Sequence, residues 1–246
     1  MRLAKDKLII ALDVPTPSQA LELVAKTRGL AGMYKIGSQL FTAAGPSFVR
    51  ELIEQGEKVF LDLKFHDIPN TVAHAGIEAA RLGVSMFNVH ALGGVQMMRQ
   101  VAESVGEFCS DENLTKPIIL AVTILTSLNK DDLKVVSIGE GPDTLAPRLA
   151  QLACGCGLDG VVASVEEASH IRRRIQKPGF VIVTPGIRPS GAASQDQKRI
   201  ATPQQALLSG ADYLVVGRPI IESDDPRHAT ETILNEVEAT FKNKYS

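Results

Sequence analysis

The chain has 246 residues, with 26 Lys and Arg against 28 Asp and Glu, for a net charge of −2. At a typical ~150 residues per domain it is long for one ordinary domain and short for two, and a barrel of roughly 250 residues resolves that fraction as one unit over residues 1–246. With no basic tail or acidic block and 44% hydrophobic residues, the composition excludes disordered, collagen-like and coiled-coil chains and points away from nucleic-acid and membrane-surface partners.

Trp is absent and aromatic residues make up 4%, which argues against a stacking platform for bases or flat cofactors. The opening MRLAKDKLIIALDV holds only a short apolar run, broken by Asp13. Nowhere do ~20 apolar residues run together, so neither a secretion signal nor a membrane span is expected. Cys109, Cys154 and Cys156 are odd in number and lack the spacing of a redox pair or zinc ribbon. They read as packing residues in a reducing cytoplasm.

Short apolar runs alternate with amphipathic stretches. The pattern predicts strands at 7–14, 33–37, 58–64, 86–91, 117–125, 159–164, 179–186 and 213–220. Helical periodicity lies between them, as at 93–108, 143–155 and 165–176, with a last helix near 226–242. Helix starts carry proline or an N-cap residue, such as Thr202-Pro203, and stops fall near Gly56, Gly83 and Gly210. Strand followed by helix, eight times, is a parallel α/β chain. A doubly wound sheet would advertise a glycine-rich turn after its first strand, where Asp13-Val14-Pro15-Thr16-Pro17 stands instead. The expectation is a (β/α)8 TIM barrel, its two longest connections at 126–142 and 187–201.

Barrel chemistry lies at the carboxyl ends of the strands. Those ends carry Asp13, Lys35, Asp62 with Lys64, His90, Thr123, Ser164, Thr184 and Arg218. Strand alternation sends Asp62 and Lys64 to the same side, and Asp67 follows in the next loop. The plain reading of such a series is a surface ion-pair network. In a barrel mouth that reading weakens, because buried charges are costly unless they are paired or used. Flanking carboxylates should hold Lys64 charged and raise its pKa, making it a proton donor and not a Schiff-base amine. Two ammonium groups already balance two carboxylates, so no metal is expected. VTPGIRPSG and VVGRPI place Gly186, Arg188, Gly217 and Arg218 where barrels often bind phosphate. His66, His74, His90, His170 and His228 show no ligand spacing, and Arg172-Arg173-Arg174 reads as a solvated helix face.

LDLKFHDIPNT closely resembles the signature of the orotidine 5′-phosphate decarboxylase family. The likeness continues through IALD, YKIG, FNVHA, AVTILTS, CGLDGVV, VTPGIRPSG and VVGRP, in order along the strands. The resemblance implies cofactor-independent decarboxylation of orotidine 5′-monophosphate to UMP, the last step of de novo pyrimidine nucleotide synthesis. It also implies a homodimer whose sites are each completed by the neighbour. Carried over in this way, Asp13 contacts the ribose, and Lys35, Asp62 and Lys64 meet the reacting centre with Asp67 of the other subunit, accompanied by Ile68 and Thr71. Thr126 would lie at the pyrimidine, and Arg188, Gln197, Gly217 and Arg218 at the pyrimidine or phosphate end. Ser38-Gln39 and the 128–142 loop match less clearly, so nothing is carried over there. The spacing D-x-K-x-x-D is shared with magnesium-dependent sugar-phosphate decarboxylases and aldolases of the same barrel group. A barrel that only binds a phosphorylated ligand is the third reading.

Overall fold

Strands covered by helices on one face and by facing strands on the other read as nearly unbroken apolar runs. The computed structural model, which describes residues 4–189 and 201–244, shows where those runs pair. They form β1 (Leu8–Ala11), β2 (Met33–Gly37), β3 (Val59–Phe65), β4 (Met86–His90), β5 (Ile118–Val122), β6 (Gly160–Val162), β7 (Val181–Thr184) and β8 (Tyr213–Val216). All neighbours pair in parallel and in sequence order, and β8 closes on β1 through Leu8–Leu214, Ile9–Val215 and Ile10–Val216. This is the expected (β/α)8 barrel.

Around it run α1 (Pro17–Thr27), α2 (Ser38–Glu54), α3 (Pro69–Arg81), α4 (Gly94–Asp111), α5 (Lys130–Val135), α6 (Pro142–Gly155), α7 (Val165–Arg174), α8 (Pro203–Leu208), α9 (Arg218–Ile221) and α10 (Pro226–Lys244). The expected start signals operate. Thr202 accepts the Gln205 N–H while the Gln205 side chain accepts the Thr202 N–H, with Pro203 supplying a first-turn residue that has no N–H to satisfy. Among the described residues, no helix is long and apolar enough to cross a membrane.

Alternation along the strands makes two cores. Ile9, Met33, Phe60, Met86, Leu120 and Val183 fill the barrel interior. Leu8, Ile10, Tyr34, Phe87, Ile119 and Ile182 face outward and pack beneath the helices. Phe60 is 1% exposed, and burying a side chain of that kind contributes roughly 1.5–3 kcal/mol.

Several strands stop earlier at the mouth than their apolar runs suggest. The 213–220 run pairs only to Val216, then Gly217 turns the chain into α9. The run 7–14 pairs only over Leu8–Ala11. The 126–142 connection also contains α5, which begins at a capping box between Asn129 and Asp132. At the opposite end, Arg172 departs from the solvated face expected of the arginine run. Its Nε donates to the Gly210 carbonyl at 2.9 Å and its guanidinium pairs with Asp212, which also accepts the Ile182 N–H. Arg172 thus ties α7 to the entries of β7 and β8.

Candidate active site

β3 and β4 pair at Phe60–Met86 and Leu61–Phe87, and next at Phe65–Val89. Between those rungs β3 advances four residues while β4 advances two, so Asp62–Lys64 is extruded from the ladder. Lys64 takes φ of 53°, a left-handed conformation that costs a residue with a Cβ about 1–2 kcal/mol. Simple strand alternation therefore does not hold here. Asp62 and Lys64 reach the same side through a bulge, not through an unbroken period of two.

The ammonium of Lys64 donates to Asp62 Oδ1 at 2.7 Å, and the same oxygen accepts the Asn88 side-chain N–H at 2.7 Å. Asp62 Oδ2 lies 3.3 Å from Lys35 Nζ, which donates to Asp13 Oδ1 at 3.0 Å. Lys35 and Asp62 are buried, whereas the Asp13 side chain is 54% exposed. Burial pushes the Lys35 pKa down, but the carboxylates of Asp62 and Asp13 together carry it above its ordinary value. Burial likewise pushes Asp62 up, and Lys35 with Lys64 reverses this, holding the carboxyl below its ordinary range. The pairing thus fixes the charged form of each.

Sequence reasoning passed over two residues beside this network. Asn88 is fully buried on β4, and its Oδ1 accepts the Lys64 backbone N–H at 2.8 Å. Gly37 ends β2, and a Cβ there would lie 3.2 Å from Lys35 Nζ and 3.4 Å from Asp13 Oδ1. An asparagine inside the apolar run MFNVH was the available signal for the first; the glycine of YKIG carries none without the fold.

His90 stacks on His66, with ring centroids 5.3 Å apart and 16° between planes. Burial, then His66 and Lys64, push the His90 pKa down to about 4, so the ring is neutral near pH 7. Its Nδ1 accepts the Leu92 N–H at 3.3 Å, which leaves the ring proton on Nε2. Of the other strand-end residues, Thr123 donates to the Val162 carbonyl, and the Ser164 N–H ahead of α7 donates to the Glu167 carboxylate at 3.0 Å.

Asp13, Lys35, Asp62, Lys64, Thr126, Arg188, Gly217 and Arg218 line one cavity of roughly 360 Å³, with Phe60 also in its wall. Gly186, at φ of 77°, and Arg188 lie at the base of the long connection after β7. There Arg188 N–H donates to the Ala201 carbonyl and Ala201 N–H to the Gly186 carbonyl. Asp67, Ile68 and Thr71 are exposed at the start of α3 and do not line this cavity. The Asp67 carboxylate accepts the Ile68 N–H at 2.6 Å. The carboxylate–ammonium–carboxylate series of one strand end therefore contributes two members to this chain's own cavity. Gln197 lies outside the described residues.

A cavity of roughly 360 Å³ that gathers Lys35 and Lys64 with Arg188 and Arg218 has the size and charge to take a small anionic ligand. Residues 6–233 match the family described as "Orotidine 5'-phosphate decarboxylase / HUMPS family". A curated orotidine 5'-phosphate decarboxylase of Syntrophotalea carbinolica is 52% identical over 97% of this chain and 98% of its own. That of Moorella thermoacetica is 50% identical over 96% and 93% respectively. A crystal structure of the Lactobacillus acidophilus enzyme of the same name superposes with a TM-score of 0.82 at 36% identity, covering 94% of this chain and 98% of that one. Matched along nearly all of its length, the chain belongs to the orotidine 5'-phosphate decarboxylase / HUMPS family.

Proposed function

We propose that residues 1–246 work as one catalytic barrel that decarboxylates orotidine 5′-monophosphate to UMP, the closing step of pyrimidine nucleotide synthesis, without a cofactor. The observation that carries this reading is the buried Asp62 carboxylate held between two ammonium groups, Lys64 at 2.7 Å and Lys35 at 3.3 Å, in the wall of the cavity. The names of the curated relatives agree with it.

Decarboxylation breaks the bond from pyrimidine carbon 6 to its carboxylate carbon. Carbon dioxide leaves and the electron pair stays on carbon 6. With no cofactor to delocalise that pair, ammonium groups fixed in advance stabilise the developing charge without reorganising. The Lys64 ammonium then transfers a proton to carbon 6, giving UMP, and the amine recovers its proton from water. Asp62 keeps both lysines in place. Asp13, Thr126, Arg188, Gln197, Gly217 and Arg218 hold the ribose, base and phosphate, so binding energy from the remote phosphate serves the reacting end. With few aromatics available, hydrogen bonds and a phosphate grip hold the base instead of stacking.

In this reading the working enzyme is a homodimer, and Asp67, with Ile68 and Thr71, enters the neighbour's site. Support comes from their exposure beside the cavity, where Ile68 is 66% exposed. The balanced net charge of −2 suits a cytoplasmic enzyme that uses neither nucleic acid nor membrane.

A magnesium-dependent sugar-phosphate decarboxylase or aldolase is the second reading, favoured by the shared spacing of Asp62, Lys64 and Asp67 and by the breadth of the family description. Against it, both Asp62 oxygens already face ammonium groups, a poor arrangement for a hard cation. One assay separates the readings: orotidylate, protein and chelator, followed by the loss of orotate ultraviolet absorbance. Turnover in chelator is expected. No turnover, or a magnesium-requiring reaction with a keto-sugar phosphate, would overturn the proposal, and binding without turnover would leave a passive phosphate-ligand barrel.

A further inference from the structure

Where the bulge removes the ladder between β3 and β4, one side chain takes its place. Asn88 lies opposite the extruded residues, between the rungs Leu61–Phe87 and Phe65–Val89. Its Oδ1 accepts the backbone N–H of Lys64 at 2.8 Å, and its Nδ2 donates to Asp62 Oδ1 at 2.7 Å. It is fully buried, so no water competes for either contact. A neutral amide both accepts and donates, which this position requires; an ionised carboxylate only accepts and a hydrocarbon does neither. Lys64 is the one strand residue with a side chain that takes a left-handed φ among the described residues, and its N–H is the group Asn88 holds.

We propose that Asn88 is a positioning residue of this site. It locks the left-handed turn at Lys64 and the orientation of Asp62 as one unit, so that ammonium and carboxylate are set before a substrate arrives. The proposal rests on the decarboxylase reading for its kinetic readout alone; its structural readout is independent of that reading.

The test compares wild type, Asn88→Ala and the nearly isosteric Asn88→Asp by crystal structure, orotidylate kinetics and UMP titration calorimetry. In Asn88→Ala, Lys64 should leave its φ near 53° and its ammonium should separate from Asp62. Misplacement of that order lowers kcat by about 100-fold, with UMP affinity nearly unchanged. In Asn88→Asp the new carboxyl faces Asp62 and Lys64 of β3, with Lys35 of β2 beyond Asp62 and His90 two residues along β4, while β5 (IILAV) offers no titratable group. Burial and the Asp62 charge raise the pKa of that carboxyl. Above this value it repels Asp62; below it, the protonated acid accepts and donates as the amide does. The ratio of Asn88→Asp to wild-type kcat should therefore rise as pH falls.

A flat ratio across pH, or a Lys64 that keeps its backbone and its Asp62 contact in Asn88→Ala whatever the rate, overturns the proposal. Should Asn88→Ala not fold, the Asn88→Asp profile and structure decide alone. Should wild type not turn over orotidylate, the decarboxylase reading falls, and the position of Lys64 in the variant crystals still decides this one.

Discussion

On the β1–β3 side of the cavity, Lys35, Asp62 and Lys64 stand on strands and Asp13 two residues past β1, and they neutralise one another through contacts of 2.7–3.3 Å. On the β7–β8 side, Gly186, Arg188 and Gly217 stand in turns past the strand ends and Arg218 opens α9 directly after one, and the charged residues are arginines. The first arrangement suits a reacting centre, since charges held by rigid elements need no rearrangement as electron density moves. The second suits a remote anion, where backbone N–H groups and forked guanidinium donors supply binding energy. Charge that cancels along the whole chain is thus sorted by chemical task at the mouth.

The largest expected effect breaks the strand-borne half. Changing Lys64 to Ala should lower kcat by about 10⁴-fold, the upper range for loss of a positioned proton donor, while UMP still binds a folded barrel. Single-turnover kinetics with orotidylate, beside calorimetry with UMP, checks this; a near-normal kcat would remove Lys64 from the chemistry. A smaller effect should come from the turn-borne half. Changing Arg218 to Ala removes a charge-assisted contact and should lower kcat/KM for orotidylate about 10- to 100-fold. The bare nucleoside should be almost unaffected, and equal losses on both substrates would erase the distinction between the halves.

The smallest effect concerns stability beside the reacting half. His90 has a folded pKa of about 4 against an ordinary 6.5, so it stays neutral in the barrel while the unfolded chain takes up a proton first. Stability from this group is complete above pH 6.5 and is lost as pH falls toward about 4. His90→Asn keeps a side-chain acceptor for the Leu92 N–H without the titration. Its Tm should fall less steeply than that of wild type over this window, and parallel Tm-against-pH curves would contradict the assignment.

What the sequence discloses, and what it withholds, follows a physical division. Apolar runs at regular spacing announce the eight strands because both strand faces are buried, and Asp13, Lys35, Asp62 and Lys64 stand out as charges at the ends of those runs. The extrusion of Asp62–Lys64 does not stand out, because it depends on how β3 registers against β4, 24 positions away by the Lys64–Asn88 contact. Asn88 and Gly37 escape notice for the same reason: each matters through a neighbour that only the closed barrel supplies. Arg172 reads as one of three solvated arginines until the entry of β8 brings Asp212 beneath it. Asp67 lies near Lys64 in sequence, yet the turn after β3 directs it out of this chain's cavity, and periodicity could not foresee that.

In the proposed enzyme the strand-borne charges meet the reacting carbon while the arginines beyond β7 and β8 meet the phosphate. A crystal structure with UMP bound tests it most directly. Pyrimidine carbon 6 is expected within about 3–3.5 Å of Lys64 Nζ, with the phosphate against Gly217 and Arg218. A nucleotide bound in the reverse sense, or with carbon 6 turned away from Lys64, would contradict it.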